Sequence, residues 1–164
     1  MIAIISDTHM PKGERRLPDA CCERLASAEA IVHAGDICTV AVLDALRAFG
    51  PPVTAVYGNV DDAAVRMVLP AAASVSFGGR TIAVIHDAGP AARRLKRLRR
   101  RFPDADAVVF GHSHIPLIET AADGAFVIVN PGSPTERRRS PAHTMALAEL
   151  DPRGGLRFEL VTLD

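Results

Sequence analysis

Short runs of apolar, mostly β-branched residues alternate along the first part of the chain with helix-like stretches. Three such runs lie at Ile2–Ile5, Ala30–His33 and residues 53–57. Helix-like stretches lie between them, at residues 18–28 and 39–49. A β-α-β-α-β order of this kind predicts a parallel sheet with right-handed crossover connections.

The second part of the chain is richer in predicted strands. Residues 74–77 and 81–85 flank Gly78-Gly79, a favourable two-residue turn, and predict a β-hairpin. Residues 90–102 predict a helix with an apolar stripe and seven Lys and Arg residues on the remaining surface. Further strands are predicted at residues 108–110, 117–120, 126–129, 145–150 and 156–161, the last of them at a sheet edge. We therefore expect a single α/β domain, residues 1–164, with two packed sheets flanked by helices.

The composition argues against a strongly basic nucleic-acid-binding protein, a disulfide-rich protein and a membrane protein. Lys plus Arg and Asp plus Glu number 19 each, so the chain lacks a global cationic field for nucleic acid. The three cysteines, Cys21, Cys22 and Cys38, are too few and too close to form a disulfide framework. No secretory signal and no apolar run of the ~20 residues that span a bilayer are present. We expect a cytoplasmic protein with no membrane partner, and pairing of C-terminal edge strands into a homo-oligomer remains open.

Residues that can bind metals cluster where the predicted strands end. Ligands in open α/β sheets bind beyond the carboxyl ends of the strands, so these side chains are expected to share one cleft. Imidazole, carboxylate and amide donors without a thiol suit Mn, Fe, Co, Ni or Zn. The candidate metal ligands are Asp7, His9, Asp36, Asn59, His86, His112 and His114.

The spacing within two of these blocks has a simple interpretation. Asp7-x-His9 and His112-x-His114 each separate two donors by one residue. In an extended segment, residues i and i+2 point to the same side, so each block is expected to aim two side chains at one place. Gly35, Gly58 and Gly111 border the donors, as expected where the backbone turns sharply near an ion.

The ordered set of blocks D-x-H, G-D, G-N-x-D, H and G-H-x-H resembles the calcineurin-like metallophosphoesterase superfamily. Together with the Asn130-Pro131-Gly132-Ser133 block, it is most similar to the small phosphodiesterases of the YfcE type. The resemblance implies a four-layer αββα sandwich of two mixed sheets.

The resemblance also implies two divalent cations, with Mn²⁺ the first expectation and Fe, Ni, Co or Zn as alternatives. The first would be held by Asp7, His9, Asp36 and His114. The second would be held by Asp36, Asn59, His86 and His112, which makes Asp36 the bridging carboxylate.

The resemblance has two departures. The larger phosphatases carry a histidine where this chain has Val60, and valine cannot protonate a leaving group. The H-G-H or H-G-D block common in the family is replaced here by His86-Asp87-Ala88-Gly89. The first departure puts efficient attack on esters with poor leaving groups in question. The second puts in question a contact to the substrate near Asp87.

The chemistry implied is phosphate ester hydrolysis of a small-molecule substrate, most of all of diesters. Two cations clamp the phosphoryl group and lower the pKa of a bridging water, so that hydroxide attacks phosphorus in line with the leaving oxygen. Catalytic roles fall to Asp36, Asn59 and His86. Residues expected around the metals or the substrate are His33, Asp61, Asp87, Ser133 and Arg137.

Two alternatives remain open. The same small fold resembles the retromer subunit Vps29, a non-catalytic scaffold, although such a scaffold need not keep every candidate ligand. The arginine-rich helix and Arg137-Arg138-Arg139 fit either a solvated surface or a phosphate-steering surface, as in a metal-dependent nuclease.

Overall fold

Ten strands and four α-helices follow one another along residues 1–164, all of which the computed structural model describes. The strands are β1 (Ile2–Ile5), β2 (Ala30–His33), β3 (Val53–Ala55), β4 (Ala72–Phe77), β5 (Arg80–Ile85), β6 (Ala107–Val109), β7 (Leu117–Thr120), β8 (Val127–Asn130), β9 (Thr144–Leu150) and β10 (Leu156–Thr162). The helices are α1 (Asp19–Ser27), α2 (Val40–Arg47), α3 (Ala63–Val68) and α4 (Arg94–Arg101), and a single 3-10 turn covers Lys12–Glu14. None of these helices combines the length and apolar character needed to cross a bilayer.

The first sheet has the strand order β10-β9-β1-β2-β3. Strands β1, β2 and β3 are parallel, with Ile2 opposite Ala30 and Ile31 opposite Val53. Strand β9 pairs antiparallel with β1, and β10 forms the sheet edge. The predicted β-α-β-α-β unit and the C-terminal edge strand are both confirmed.

The second sheet has the order β4-β5-β6-β8-β7. Strands β4 and β5 form the predicted hairpin, with Phe77 opposite Arg80. Gly78 and Gly79 both have positive φ, 57° and 78°, which the turn between twisted strands requires. Strands β5, β6 and β8 are parallel, so the ends of β5 and β6 lie at the same edge of this sheet.

The two sheets pack face to face, and helices cover their outer faces. Ile2 and Ile4 of β1 pack in the cluster between the sheets, whereas Ala3 and Ile5 pack in the cluster that contains residues of α1 and α2. This division follows the period of two in a strand. Leu98 of α4 packs with residues of the other sheet. The α/β architecture of two mixed sheets flanked by helices is confirmed.

Some element boundaries differ from the predictions. Helix α4 begins at Arg94, four residues later than predicted, because Arg93 is left-handed (φ 54°) and the segment before it forms a loop. Helix α2 covers Val40–Arg47, with Thr39 as its N-cap residue, and is shorter than the predicted 39–49. Helix α3 was not predicted. It has only six residues and begins where the Asp62 carboxylate accepts the Val65 N–H at 2.8 Å.

Candidate metal centre

The loops that follow β1 and β6 bring the edges of the two sheets together. The backbone N–H of His112 donates to both carboxylate oxygens of Asp7, at 3.0 and 3.1 Å. Asp7 follows β1 of the first sheet, and His112 follows β6 of the second. This contact places the D-x-H and G-H-x-H blocks side by side, although 105 residues separate them along the chain.

The first cluster of candidate ligands, Asp7, His9 and His114, is buried. The Nε2 atoms of His9 and His114 lie 3.1 Å apart, and His114 Nε2 lies 3.4 Å from Asp7 Oδ1. The Nδ1 of His114 lies 2.6 Å from the Glu136 carbonyl oxygen and donates to it. The proton is thereby held on Nδ1, and the Nε2 lone pair points toward His9 and Asp7.

The second cluster consists of Asp36, Asn59, His86 and His112. The Asn59 Oδ1 lies 3.0 Å from His86 Nε2 and 2.9 Å from His112 Nδ1. His86 donates through Nδ1 to the Ala34 carbonyl at 2.8 Å, which directs its Nε2 into the cluster. Asn59 and His112 are exposed, so this cluster is open to solvent.

Asp36 connects the two clusters. Its Oδ2 lies 3.5 Å from His9 Nε2 and 3.4 Å from His86 Nε2, so one oxygen faces an imidazole of each cluster. Its Oδ1 accepts the Val60 N–H at 3.0 Å. Position 60 therefore contributes through its backbone, and the side chain that replaces the family's histidine is 45% exposed.

The interpretation of the two x-spaced blocks as extended segments was wrong. Asp7, His9, His112 and His114 have φ of 56°, 47°, 70° and 59°, and Asp36 has φ of 60°. Left-handed backbone is uncommon in residues other than glycine and costs about 1–3 kcal/mol at each position. Five of the seven candidate ligands therefore reach the centre from left-handed backbone and not from extended segments.

Two glycines make room for the candidate ligands. A Cβ at Gly58 would lie 2.1 Å from Asp36 Oδ1, and a Cβ at Gly111 would lie 1.9 Å from Ser6 Oγ and 2.6 Å from Asp7 Oδ2. Both distances are far shorter than any non-bonded contact. Only glycine lets these loops approach the two carboxylates so closely.

Burial and hydrogen bonding shift the pKa values of the cluster in opposite directions. Burial raises the pKa of Asp7 to about 7 and lowers that of His114 to about 4. Burial also opposes charge on Asp36, but hydrogen bonds from His86 and Val60 outweigh it, and the pKa of Asp36 falls to about 2. The same hydrogen bond to Asp36, with nearby negative charge, overcomes burial and raises the pKa of His86.

Divalent cations fit this donor set. The Nε2 atoms of His9 and His114 share a hydrogen bond at 3.1 Å, and each faces a buried carboxylate, so a cation can take the place of the shared proton. Each cluster offers imidazole and oxygen donors, which transition metals and zinc bind. Two sets of side chains have donor atoms close enough together to bind one ion each: Asp7 with His9 and His114, and Asp7 with Asp36 and His86. Asp7 belongs to both sets, and Asp36 contacts a histidine of each.

The sequence profile of the calcineurin-like phosphoesterase superfamily domain matches residues 1–153. The chain belongs to this superfamily. The "Probable metallophosphoesterase MJ0623" of Methanocaldococcus jannaschii is 34% identical over 141 residues, which cover 84% of this chain and 70% of that protein. Hydrolysis of phosphate esters and the use of divalent metals are general properties of this superfamily.

Solved structures show the same fold. Protein TM1076 of Thermotoga maritima has 30% identity and a TM-score of 0.75, covering 99% of this chain and 98% of that one. Vps29 of Chaetomium thermophilum has 22% identity and a TM-score of 0.76, covering 98% of this chain and 93% of that one. At this identity the Vps29 likeness shows the fold alone.

Three residues predicted around the centre hold its loops in place. The Asp61 carboxylate accepts the backbone N–H groups of Asp36 (3.1 Å), Cys38 (2.6 Å) and Gly58 (2.6 Å). Ser133 donates to the Asp7 carbonyl at 2.8 Å and is buried. Asp61 thereby ties the G-N-x-D loop to the G-D loop, and Ser133 ties the N-P-G-S loop to the D-x-H loop.

His33 is the third of these residues and is fully buried. Its Nδ1 accepts the Gly35 N–H at 3.2 Å, so its Nε2–H donates to Thr8 Oγ1 at 3.1 Å. Burial lowers the pKa of His33 to about 3, so the ring is neutral near pH 7. The structure places it between the D-x-H and G-D loops and not among the donor atoms of either cluster.

The remaining predicted residues lie at the rim or beyond it. The Asp87 carboxylate accepts the Gly89 N–H at 2.7 Å and is exposed. Arg137 donates to the Pro141 carbonyl at 3.0 Å. Neither side chain contacts a candidate metal ligand by a hydrogen bond or ion pair.

Part of the arginine-rich helix supports the loop that follows His86. Arg97 donates to the carbonyl oxygens of Ala88, Pro90 and Ala92 at 2.6–2.9 Å, and Arg94 donates to that of Gly89 at 3.1 Å. These two arginines of α4 hold the backbone of the loop that precedes the helix, so their role is to stabilise that loop. Neither a wholly solvated surface nor a continuous phosphate-steering surface describes this helix.

Sequence reasoning missed Glu136. Its carboxylate pairs with Arg15 at 3.0 Å and approaches His9 Nε2 to 3.7 Å. Its carbonyl also accepts from His114. The only sequence signal was its position three residues after Ser133, which was already expected near the metals or the substrate.

Proposed function

We propose that this phosphoesterase is a phosphodiesterase that requires two divalent cations, one at each cluster. The proposal is carried by the Asp36 carboxylate, whose Oδ2 faces His9 and His86 at 3.5 and 3.4 Å. A carboxylate between two sets of imidazoles is the arrangement that holds a pair of cations at bridging distance. Such a pair, when bound, neutralises phosphate oxygens and activates water for attack.

The chain's own residues would orient the substrate. Asn59 lies at the exposed side of the second cluster, where its amide can bind both a cation and a phosphate oxygen. The Nδ1–H of His86 is fixed on the Ala34 carbonyl, so its Nε2 stays deprotonated when it binds a cation. Asp36 is held by the Val60 N–H. Backbone groups therefore orient Asp36 and His86 before a substrate binds.

Two features favour diesters with good leaving groups. Val60 cannot protonate a departing alkoxide, so esters whose leaving group is already acidic should react faster. Val60 follows Asn59, Ile115 follows His114, and both are about half exposed, at 45% and 48%. Apolar side chains beside the candidate ligands can contact the second organic group of a diester.

The test compares bis(p-nitrophenyl) phosphate with p-nitrophenyl phosphate on purified protein supplied with Mn²⁺. We expect Mn²⁺-dependent hydrolysis with a higher kcat/KM for the diester. Asp36→Asn should lower kcat/KM by more than the about 10–100-fold loss typical when a partner of a metal ligand is removed. Elemental analysis of both proteins would show whether the variant has lost bound metal.

Asp44→Asn is the matched control, because it removes one carboxylate from an exposed site on α2. It should leave kcat/KM unchanged. Retained turnover in Asp36→Asn, hydrolysis that ignores Mn²⁺, or a preference for the monoester would each contradict the proposal.

A non-catalytic scaffold of the same fold is the second candidate. It is favoured by the exposure of Met67 (87%) and Val68 (54%) on α3, because large exposed apolar side chains mark surfaces that other proteins cover. A purified protein that binds no Mn²⁺ and hydrolyses neither ester would favour the scaffold over the phosphodiesterase.

A further inference from the structure

A cavity of about 260 Å³ lies against the second cluster. Asn59 and His86 form part of its wall, so a substrate bound at the candidate metal centre can extend into it. Pockets for small molecules typically have about 300–1,000 Å³. The volume here suits one compact group attached to the substrate.

Arg66 presents a fixed positive charge on the wall of this cavity. Its guanidinium donates to the carbonyl oxygens of Gly58, Asn59 and Asp61 at 2.9–3.0 Å. It also lies over the Tyr57 ring, 5.0 Å from the centroid. All these partners are uncharged, so the side chain is held in place and its charge is not neutralised.

Arg101, the last residue of α4, supplies a second cation to the wall. Its side chain makes no hydrogen bond and no ion pair, and its guanidinium lies 5.2 Å from the Phe102 ring centroid. Asp87 is the only carboxylate that lines the cavity, and it accepts the Gly89 N–H. Two arginines against one carboxylate leave the cavity cationic.

We propose that this cavity binds a second phosphate of the substrate, next to the phosphodiester held at the metal centre. The proposal rests on the proposed function and narrows its substrate class to phosphodiesters that carry a further phosphate, such as a dinucleotide with a terminal phosphate. Guanidinium groups bind phosphate through paired, charge-assisted hydrogen bonds. Arg66 can contact a phosphate oxygen through Nη1, because its Nε and Nη2 already donate to backbone carbonyls and hold the side chain in place. Arg101 has all its donors available for a paired contact.

The proposal gives a role in substrate binding to this cavity and not to the whole arginine-rich helix. Arg93, Lys96, Arg97 and Arg100 line a different cavity on α4, which contains no candidate metal ligand. A general attraction of anions by the helix would involve Arg100 and Arg101 alike. A subsite for the substrate involves Arg101 and not Arg100, which makes Arg100→Gln a control of equal charge change on the same helix.

The first experiment measures binding without hydrolysis. Mn²⁺-loaded protein is titrated calorimetrically with adenosine 5′-monophosphate and with adenosine 3′,5′-bisphosphate. We expect the bisphosphate to bind about tenfold more tightly, through the added charge-assisted contacts. Arg101→Gln should abolish this advantage, Arg101→Lys should keep part of it, and Arg100→Gln should keep all of it.

The second experiment measures kcat and KM for a dinucleotide with and without a terminal phosphate. The proposal expects Arg101→Gln to remove the KM preference for the phosphorylated dinucleotide. Equal effects of Arg100→Gln and Arg101→Gln, or no preference in the unmodified protein, would overturn it. If neither dinucleotide is hydrolysed while the Arg101-dependent bisphosphate advantage persists, the phosphodiesterase function fails and the phosphate site stands.

Discussion

The two clusters of candidate ligands differ in how far they are removed from water. Asp7 and His114 of the first cluster are 0% exposed, whereas Asn59 and His112 of the second lie at the surface. The first cluster is formed by loops of both sheets pressed together. The second opens toward the cavity and the rim. Under the proposed function, we expect the first cluster to hold a cation and the second to present one to the substrate.

Their electrostatics differ in the same direction. In the first cluster burial dominates, so the pKa of Asp7 is raised to about 7 and those of His9 and His114 are lowered. In the second, Asp36 and His86 stabilise each other's charged forms. Burial opposes the charge of Asp7 more than His86 and Ser6 offset it, whereas hydrogen bonds already stabilise the charged form of Asp36. Asp7 therefore gains more from a divalent cation than Asp36 does. We therefore expect tighter binding at the first cluster.

The largest effect that tests this comparison is expected from His114→Gln. Removing a buried nitrogen donor should weaken the tighter of two Mn²⁺ binding phases by more than about 100-fold, beyond the range typical of partners of metal ligands. His112→Gln should weaken only the looser phase. Calorimetric titration of both variants with Mn²⁺ measures the two phases. Loss of the tighter phase in His112→Gln would reverse the assignment of the clusters.

Most of the fold could be predicted because its signals are local. Most of the strands are short apolar runs next to turn residues, and all ten were placed within a few residues of their observed bounds. The hairpin depended on Gly78-Gly79, which is a local signal too. Helix α3 was missed because six residues carry too little periodicity. The start of α4 was misplaced because left-handed Arg93 has no sequence signature.

The residues of the centre could be proposed from the sequence, but its geometry could not. The seven predicted side chains do lie together at the meeting edges of the two sheets. The left-handed backbone at Asp7 and His112 arises from tertiary contacts that override local preference. The positions of Glu136 and Arg66 depend on loops that are distant along the chain, and no local pattern encodes such contacts.

A smaller effect is expected at Asp61, whose hydrogen bonds go to the loops of Asp36 and Asn59 and not to those of Asp7 and His114. Its carboxylate accepts three backbone N–H groups, including those of Asp36 and Gly58. Asparagine at this position replaces one of the two accepting oxygens with an NH₂ group, which cannot accept the backbone N–H groups. Asp61→Asn should weaken the looser Mn²⁺ phase about 10–100-fold and lower the free energy of unfolding by about 1–3 kcal/mol. Calorimetry and chemical denaturation measure the two quantities.

Asp62→Asn provides the matched control for this prediction. Asp62 is adjacent, exposed, and caps α3 through the Val65 N–H. Because asparagine is about as good an N-cap as aspartate, Asp62→Asn should leave both quantities nearly unchanged. If Asp61→Asn weakened both Mn²⁺ phases equally, Asp61 would support the whole centre and the distinction between the clusters would be lost at this residue.

The smallest effect is expected at Glu136, and there the sign of the change is informative. Its carboxylate lies 3.7 Å from His9 Nε2 and adds negative charge beside the first cluster, while Arg15 at 3.0 Å cancels part of it. Glu136→Gln should weaken the tighter Mn²⁺ phase about 3–10-fold, and Arg15→Gln should strengthen it, because charges a few ångströms away still act at a partly buried site.

Glu119→Gln, on the exposed end of β7, removes the same charge from a residue that makes no ion pair, and it should change neither phase. If Glu136→Gln matched this control, the carboxylate would serve only as the partner of Arg15. Opposite shifts in Glu136→Gln and Arg15→Gln would instead show that the first cluster, although buried, is tuned by charges at its rim.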